Sequence, residues 1–176
     1  MTTNPLRTLE ACGQSVWLDS ISRQIIDSGT LRRLIDEDGI SGVTANPTIF
    51  EKAIAGTHDY DQAIAQIGSR AERCSPIQIY EALAVQDVGK AADLFRPIYE
   101  KSNRHDGFVS IEVSPELASD TKGTVSEACR FWGELHRPNI LIKVPATQEG
   151  IPAIEQLIAE GINVNITLIF AVEVYQ

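Results

Sequence analysis

The sequence predicts an α/β fold built on parallel strands, and two observations support this prediction. Short runs rich in Val and Ile alternate with longer stretches whose apolar residues recur at helical spacing. Strands that alternate with helices join in parallel through crossovers. Five such strands can be found in the 176 residues, whereas a closed eight-stranded barrel needs about 250 residues. The pattern therefore favours either an open sheet or a barrel cut after its fifth strand.

The five predicted strands are bounded by Gly, Pro, Asn or Asp, as buried strands commonly are. They occupy residues 15–20, 42–46, 108–113, 140–146 and 162–170. The predicted helices occupy a stretch after Ser20, residues 59–67, a long stretch opened by Ser75-Pro76, residues 124–135 and residues 148–159. We expect Pro97 to kink or interrupt the long helix, because proline lacks the N–H that a helix interior needs.

One face of the predicted strands is apolar, and the opposite face carries polar residues, mostly near the carboxyl ends. These residues are Asp19, Thr44, Asn46, Ser110, Glu112, Lys143, Asn163, Asn165 and Thr167. A helix-covered parallel sheet should be apolar on both faces, and burying an unpaired charge is costly. In a barrel this polar face is the interior, and catalytic groups lie at the carboxyl ends of the strands. The shared parity therefore predicts a functional site.

The chemistry of these residue types points to a carbonyl substrate. Lys143 lies between Ile142 and Val144, and a desolvated lysine amine can attack a ketone to form a Schiff base. A Schiff base is an electron sink for carbon–carbon cleavage, and nearby carboxylates can supply the proton transfers that the reaction requires. Asn165 and Thr167 can hold the hydroxyls of a sugar-like substrate or can serve as polar filler.

Four of these candidate site residues also have a purely structural explanation. Lys143 can sit on an edge strand, or it can pair with Glu112 as a buried ion pair. Asp19 can cap the helix that follows it, and Asn46, which precedes a proline, can do the same. The joint pattern, rather than any single residue, favours the functional interpretation.

Composition and charge exclude several classes of protein. The net charge is −9, which disfavours binding to nucleic acid. No apolar run is long enough to span a membrane, and the start of the chain does not resemble a signal peptide. Cys12, Cys74 and Cys129 are widely spaced, and the histidines lack ligand spacing. We therefore expect a cytoplasmic protein with reduced cysteines and no metal.

Five motifs resemble, in order, the strand motifs of transaldolases, and together they cover essentially the whole chain. They are Ser-Val-Trp-Leu-Asp-Ser at 15–20, Gly-Val-Thr-Ala-Asn-Pro-Thr-Ile-Phe at 42–50, Val-Ser-Ile-Glu-Val-Ser at 109–114, Ile-Leu-Ile-Lys-Val-Pro-Ala-Thr at 140–147 and Asn-Val-Asn-Ile-Thr-Leu-Ile-Phe at 163–170. The detailed sequence of these motifs resembles that of the subfamily that occurs alone or fused to a glucose-6-phosphate isomerase domain.

The resemblance implies an α/β barrel of the class I aldolase type, with residues 1–176 as the N-terminal portion of a single (β/α)8 barrel. It implies a transaldolase of the non-oxidative pentose phosphate pathway. Such an enzyme transfers a dihydroxyacetone unit from sedoheptulose 7-phosphate or fructose 6-phosphate to an aldose phosphate, and it uses no metal or organic cofactor.

The resemblance also implies roles for six residues. Lys143 forms the Schiff base, and Asp19 is the acid/base that handles the hydroxyl proton during carbon–carbon cleavage. Glu112 and Thr167 are the pair that positions a catalytic water. Asn46 and Asn165 are the pair that binds substrate hydroxyls.

In transaldolases, a serine and arginines from later strands hold the substrate phosphate, and this sequence has no such segment. We therefore expect a barrel truncated after about five strands, with a reaction centre but no phosphate anchor. Two unpaired strand edges would invite homo-oligomerisation or association with a missing C-terminal half. The alternative is a catalytically incompetent remnant that serves only as a structural or partner-binding fragment. A different Schiff-base aldolase is disfavoured, because the lysine falls on the fourth predicted strand.

Overall fold

The computed structural model describes residues 4–70 and 74–176, and it has an α/β fold. Its strands form one five-stranded sheet in the order β1-β2-β3-β4-β5. The strands are β1 (Trp17–Leu18), β2 (Gly42–Thr44), β3 (Val109–Glu112), β4 (Ile140–Pro145) and β5 (Val164–Thr167). Each of the five predicted strands is present and lies within its predicted range. The prediction of strands that alternate with helices is therefore confirmed.

Helices connect consecutive strands, as parallel pairing requires. They are α1 (Pro5–Ala11), α2 (Arg23–Asp27), α3 (Thr30–Arg33), α4 (Pro47–Gly56), α5 (Asp61–Arg70), α6 (Pro76–Lys101), α7 (Thr121–Leu135), α8 (Gly150–Ala159) and α9 (Val172–Tyr175), with a π-helical turn at Leu34–Asp38 and a 3-10 turn at Pro115–Leu117. Within the described ranges, no helix combines the length and the apolarity that a membrane crossing requires.

The chain divides into two compact units, residues 1–109 and 110–176, and β3 spans the boundary. In the first unit β1 and β2 are parallel, with Trp17 opposite Gly42. A Cβ on Gly42 would lie 2.3 Å from Cε2 of Trp17, so the indole occupies the space that any larger residue would need. The next strand begins beside β2, where the N–H of Val43 donates to the carbonyl of Phe108 at 3.1 Å.

Helix α6 is the longest element of the first unit, and its start follows the sequence prediction. The Ser75 hydroxyl accepts from the N–H of Gln78, while the Gln78 side chain accepts from the N–H of Ser75. This reciprocal capping box satisfies two donors that a helix start otherwise leaves unpaired. Pro76 occupies the first turn, where a missing N–H costs nothing.

The prediction for Pro97 was a kink or an interruption of the long helix. The interruption is wrong, since α6 continues through Pro97 to Lys101, and a kink stays a prediction. Proline removes one backbone hydrogen bond from a helix of 26 residues. Phe95 and Tyr99, on either side of the proline, are both buried. The free energy of packing this apolar face outweighs the local cost, because helix stability in proteins comes chiefly from tertiary burial.

A buried polar network joins α2, α6 and the segment before α5 inside the first unit. Arg23 donates from Nε and Nη2 to Oδ1 of Asp87, at 3.0 and 2.9 Å. The Tyr60 hydroxyl donates to Oδ2 of Asp87 at 2.8 Å and accepts from the N–H of Arg23 at 2.9 Å. The Asp87 side chain is fully buried, so both of its oxygens depend on these partners.

In the second unit, the apolar face of β4 is completely buried, with Ile140, Ile142 and Val144 inaccessible to solvent. The apolar face of β5 differs, because Ile166 and Leu168 are 40% and 55% exposed. This face is therefore less deeply buried at β5 than at β4. The predicted strand also ends early, since Leu168 has a left-handed φ of 66° that extended pairing cannot use.

Candidate active site

The second unit contains an ion pair between two neighbouring strands. Nζ of Lys143 on β4 lies 3.2 Å from Oε2 of Glu112 on β3, and the two side chains are 11% and 22% exposed. The edge-strand explanation for Lys143 is wrong, because β4 lies between β3 and β5. The predicted pairing of Lys143 with Glu112 is confirmed.

Asn165 lies beside Lys143 on the neighbouring strand. The parallel register places the two residues directly opposite each other, and it places Thr167 opposite Pro145. Nδ2 of Asn165 donates to the hydroxyl of Ser110 at 2.9 Å. The structure therefore brings together the lysine, the carboxylate and one of the two predicted amides.

Ser110 is a polar residue of this cluster to which the sequence assigned no role. It is fully buried and lies two residues before Glu112 on β3, so both side chains face the same side of the strand. That parity was visible in the sequence. The contact with Asn165 was not, because it joins residues 55 positions apart.

Thr167 lies at the carboxyl end of β5 and is partly exposed. Its carbonyl accepts from the N–H of Ala146 at 2.9 Å, which holds the end of β5 against the end of β4. These contacts define where the residue lies. A water-positioning role for its hydroxyl stays a prediction.

The loops that follow β3 and β4 are tied to each other by two threonine hydroxyls. Thr147 donates to the carbonyl of Ala118 at 2.6 Å, and Thr121 donates to the carbonyl of Glu149 at 2.6 Å. The Thr147 hydroxyl also accepts from the N–H of Gly150 at 2.9 Å. Each loop thus satisfies a backbone carbonyl of the other, which fixes the chain beyond the carboxyl ends of both strands.

In the first unit, Asp19 directly follows β1 and is exposed. The suggestion that Asp19 caps the next helix is wrong, because the cap of α2 is Ser22. Its hydroxyl accepts from the N–H of Ile25 at 3.3 Å. The capping explanation thus no longer accounts for a carboxylate at the end of β1.

Asn46 follows β2 and does cap a helix. Its Oδ1 accepts from the N–H of Ile49 at 2.9 Å, and Pro47 occupies the first helical position of α4. The cap prediction is therefore confirmed. Capping uses the amide oxygen of Asn46, and a role in binding substrate hydroxyls stays a prediction.

Within residues 4–70 and 74–176, no group of three or more His, Cys, Asp or Glu side chains is arranged to hold a metal ion. The prediction of metal-free chemistry remains to be tested.

The transaldolase/fructose-6-phosphate aldolase family model matches residues 16–176. The chain belongs to this family. It is 53% identical over 176 residues to a protein named transaldolase 2 from Nostoc punctiforme, with 99% of this chain and 45% of that protein covered. It is 50% identical over 175 residues to a transaldolase from Trichodesmium erythraeum, at 99% and 46% coverage. A transaldolase from Saccharopolyspora erythraea is 48% identical over 177 residues, at 100% and 47% coverage.

The chain spans about half the length of the curated relatives it matches. The family predicted from the five strand motifs is confirmed, and the match includes all six candidate residues as well as Ser110. The individual roles of those residues, and the activity of the chain, are matters for proposal.

Proposed function

We propose that this member of the transaldolase family carries a Schiff-base reaction centre with Lys143 as the nucleophile. The observation that supports this most directly is the Lys143–Glu112 pair, which lies 3.2 Å apart with little solvent access and opposite Asn165. The reaction is the transfer of a dihydroxyacetone unit from sedoheptulose 7-phosphate or fructose 6-phosphate to an aldose phosphate. Its setting is the non-oxidative pentose phosphate pathway in the cytoplasm.

The chemistry begins with the amine. Glu112 takes a proton from the Lys143 ammonium, and the neutral amine adds to the ketone carbon of the substrate. Loss of water gives a protonated Schiff base. Asp19 then removes the proton from the hydroxyl two carbons away from the Schiff-base carbon. The bond between that hydroxyl-bearing carbon and the carbon next to the Schiff-base carbon breaks, its electron pair enters the Schiff base to form an enamine, and an aldose phosphate leaves.

The three-carbon unit that stays on Lys143 then forms a new carbon–carbon bond, which is the reverse of the cleavage step. Its enamine carbon attacks the aldehyde of the acceptor aldose phosphate, and the new alkoxide takes the proton back from Asp19. Water, positioned by Glu112 and Thr167, then hydrolyses the Schiff base and regenerates Lys143. Asn46 and Asn165 hold substrate hydroxyls throughout, so that the reacting carbons stay aligned.

We infer further that the five-stranded sheet is part of an α/β barrel of the class I aldolase type. Charge-assisted hydrogen bonds to a substrate phosphate are each worth about 1.5–3 kcal/mol. By resemblance, the residues that make them lie in the part of transaldolases beyond this match. Binding energy from the phosphate supports turnover. This chain by itself should therefore turn over orders of magnitude more slowly than a protein of the relatives' full length.

One observation favours contact with further polypeptide. The last residues of the second unit expose several large apolar side chains that a partner could cover. They are Ile166, Leu168, Phe170, Val172, Val174 and Tyr175. Exposed apolar residues that follow one another in this way commonly mark an interaction surface. We propose that a polypeptide carrying the rest of the transaldolase length, or a second copy of this chain, covers it.

Reductive trapping tests the nucleophile. The chain is incubated with fructose 6-phosphate and borohydride, and the adduct is located by mass spectrometry of peptides. We expect modification at Lys143, none in Lys143→Ala, and unchanged modification in Lys122→Ala, which alters an exposed lysine on α7. Equal labelling of Lys143→Ala would show that the nucleophile is another residue.

A turnover assay tests the need for a partner. The release of aldose phosphate from fructose 6-phosphate is followed with erythrose 4-phosphate as acceptor. We expect little turnover by this chain alone and a large increase when a polypeptide spanning the remaining length of a relative is added. If the chain alone works at full rate, this segment holds the phosphate itself. Trapping at Lys143 without turnover, even with that polypeptide present, would instead favour the catalytically incompetent remnant.

A further inference from the structure

The four residues between β1 and α2 are anchored at both ends, and Asp19 is the first of them. At one end, Leu18 of β1 is paired with Val43 of β2. At the other end, the N–H of Arg23, the first residue of α2, donates to the Tyr60 hydroxyl at 2.9 Å. A segment this short has little conformational freedom once both of its ends are fixed. The backbone at Asp19 is therefore constrained, although the residue itself is exposed.

The Tyr60 hydroxyl has a defined role in this anchor. A backbone N–H can only donate, so the hydroxyl accepts from Arg23 and gives its own proton to another partner. That partner is Oδ2 of Asp87 at 2.8 Å, and the Asp87 side chain is fully buried. Tyr60 is only 1% exposed, so water cannot readily replace either contact. The hydroxyl thus ties the start of α2 to the buried face of α6.

The side chain of Arg23 binds the same carboxylate. Nε and Nη2 donate to Oδ1 of Asp87 at 3.0 and 2.9 Å, and Cζ lies 4.7 Å from the centre of the Tyr60 ring. Ile21, inside the segment that connects β1 to α2, is inaccessible to solvent. Arg23 is therefore held through both its backbone and its side chain, and the segment that carries Asp19 ends at a fixed point.

We propose that Tyr60 is a positioning residue for Asp19: its hydroxyl holds the start of α2, so that the Asp19 carboxylate stays where it can take the proton of the substrate hydroxyl. The proposal rests on the proposed function, since it assumes Asp19 as the acid/base of carbon–carbon cleavage. Cleavage is sensitive to the place of this base, because a displacement of about 1 Å can cost about a hundredfold in rate. Formation of the Schiff base at Lys143 does not use Asp19. Loss of the Tyr60 hydroxyl should therefore slow cleavage and leave Schiff-base formation unchanged.

Reductive trapping with fructose 6-phosphate separates these two steps. The full 176-residue chain is incubated with this ketose and cyanoborohydride, and the adducts at Lys143 are resolved by mass. A six-carbon adduct records a Schiff base reduced before cleavage, whereas a three-carbon adduct records one reduced after the aldose phosphate has left. The ratio of three-carbon to six-carbon adduct reports the cleavage step, because a loss of folded protein lowers both adducts together and divides out.

We expect Tyr60→Phe to lower this ratio by about tenfold to a hundredfold, with the total adduct per folded chain unchanged. Asp19→Asn should also lower the ratio, and adding Tyr60→Phe to it should lower the ratio no further, since Tyr60 acts through Asp19. Tyr99→Phe is the matched control. Tyr99 is a buried tyrosine of the same unit whose ring centre lies 5.3 Å from that of Phe108, and loss of its hydroxyl should leave the ratio unchanged.

Arg23→Lys is a second variant in case Tyr60→Phe folds poorly, which circular dichroism would reveal. Lysine keeps a cation beside Asp87 but lacks the rigid fork with which arginine donates two hydrogen bonds. The ratio should again fall, by about threefold or more.

Three results would overturn the positioning role. They are a wild-type ratio in Tyr60→Phe, or in Arg23→Lys where Tyr60→Phe does not fold; an equal fall in Tyr99→Phe; and a further fall in the double variant. If wild type yields only the six-carbon adduct, Lys143 is the nucleophile but Asp19 supports no cleavage in this chain, and the inference is overturned by itself. If wild type forms no adduct at Lys143, the proposed function fails, and the inference fails with it.

Discussion

Nζ of Lys143 and Oε2 of Glu112 lie 3.2 Å apart between strands β3 and β4, and both side chains are largely buried. Their attraction is stronger there than at the surface, because the surroundings screen it less. Removal of one partner deprives the other of a compensating charge 3.2 Å away, whereas removal of both leaves neither charge behind. Each residue of the pair is therefore important for stability as well as for the proposed chemistry.

A double-mutant cycle measures this coupling. We expect Glu112→Gln and Lys143→Met each to lower the free energy of unfolding by about 1–3 kcal/mol, and the double variant to lower it by less than their sum. The measurement is urea unfolding. Glu100→Gln is the control, because Glu100 pairs with Arg96 at 2.7 Å but in an exposed position, where pairs are worth about 0–1 kcal/mol. Additive effects would mean that the two charges are not coupled.

Asn46 combines a cap with a proposed contact to the substrate, and two substitutions separate these roles. Asn46→Ala should lower the free energy of unfolding by about 1 kcal/mol, because the N–H of Ile49 loses its side-chain acceptor. Asn46→Asp keeps an acceptor and should unfold like wild type. Both variants should trap fructose 6-phosphate at Lys143 more slowly, since both lack the NH₂ group. If Asn46→Asp traps as fast as wild type, the amide serves as a cap alone.

Asp87 and Asp27 each bond a cation at 2.9 Å, and they differ mainly in burial. Asp87→Ala leaves the Arg23 guanidinium and the Tyr60 hydroxyl without their buried acceptor. We expect a loss of about 3–5 kcal/mol in the free energy of unfolding. Asp27→Ala removes a surface partner of Lys90 and should cost about 0–1 kcal/mol. Chemical denaturation compares the two, and similar losses would refute the dependence on burial.

Two glycines should respond to alanine in opposite directions. Gly42→Ala places a methyl group 2.3 Å from the Trp17 ring, so β1 or β2 must shift, at a cost of about 1–3 kcal/mol. Gly133 lies inside α7, and its Cβ position meets nothing within 4 Å. Gly133→Ala should stabilise by about 0.5–1 kcal/mol, since alanine loses less entropy in a helix. Thermal unfolding of both variants is the measurement. A stabilised Gly42→Ala would contradict the packing of Trp17.

Local features of the fold were predictable because they depend on neighbours in sequence. The five strands, the Ser75 cap of α6 and the Asn46 cap of α4 all follow from residues within a few positions of one another. One error arose where tertiary packing overrides local preference, and the other concerned the choice between two neighbouring cap residues. Pro97 stays helical because Phe95 and Tyr99 are buried beside it. Ser22, three residues beyond Asp19, caps α2 instead of Asp19, and sequence spacing alone could not decide between the two.

For the candidate site, the sequence by itself determined which residues share a strand face, because side chains alternate along a strand. It thereby grouped Lys143, Glu112 and Asn165, and through its motifs it determined the family. Only the tertiary structure decided which of these side chains bond to one another. The contact between Ser110 and Asn165 depends on how β3, β4 and β5 are ordered and aligned, and the network of Arg23 with Asp87 joins residues 64 positions apart. Alternation fixes the direction of a side chain, whereas its partner is fixed by the packing of distant strands and helices.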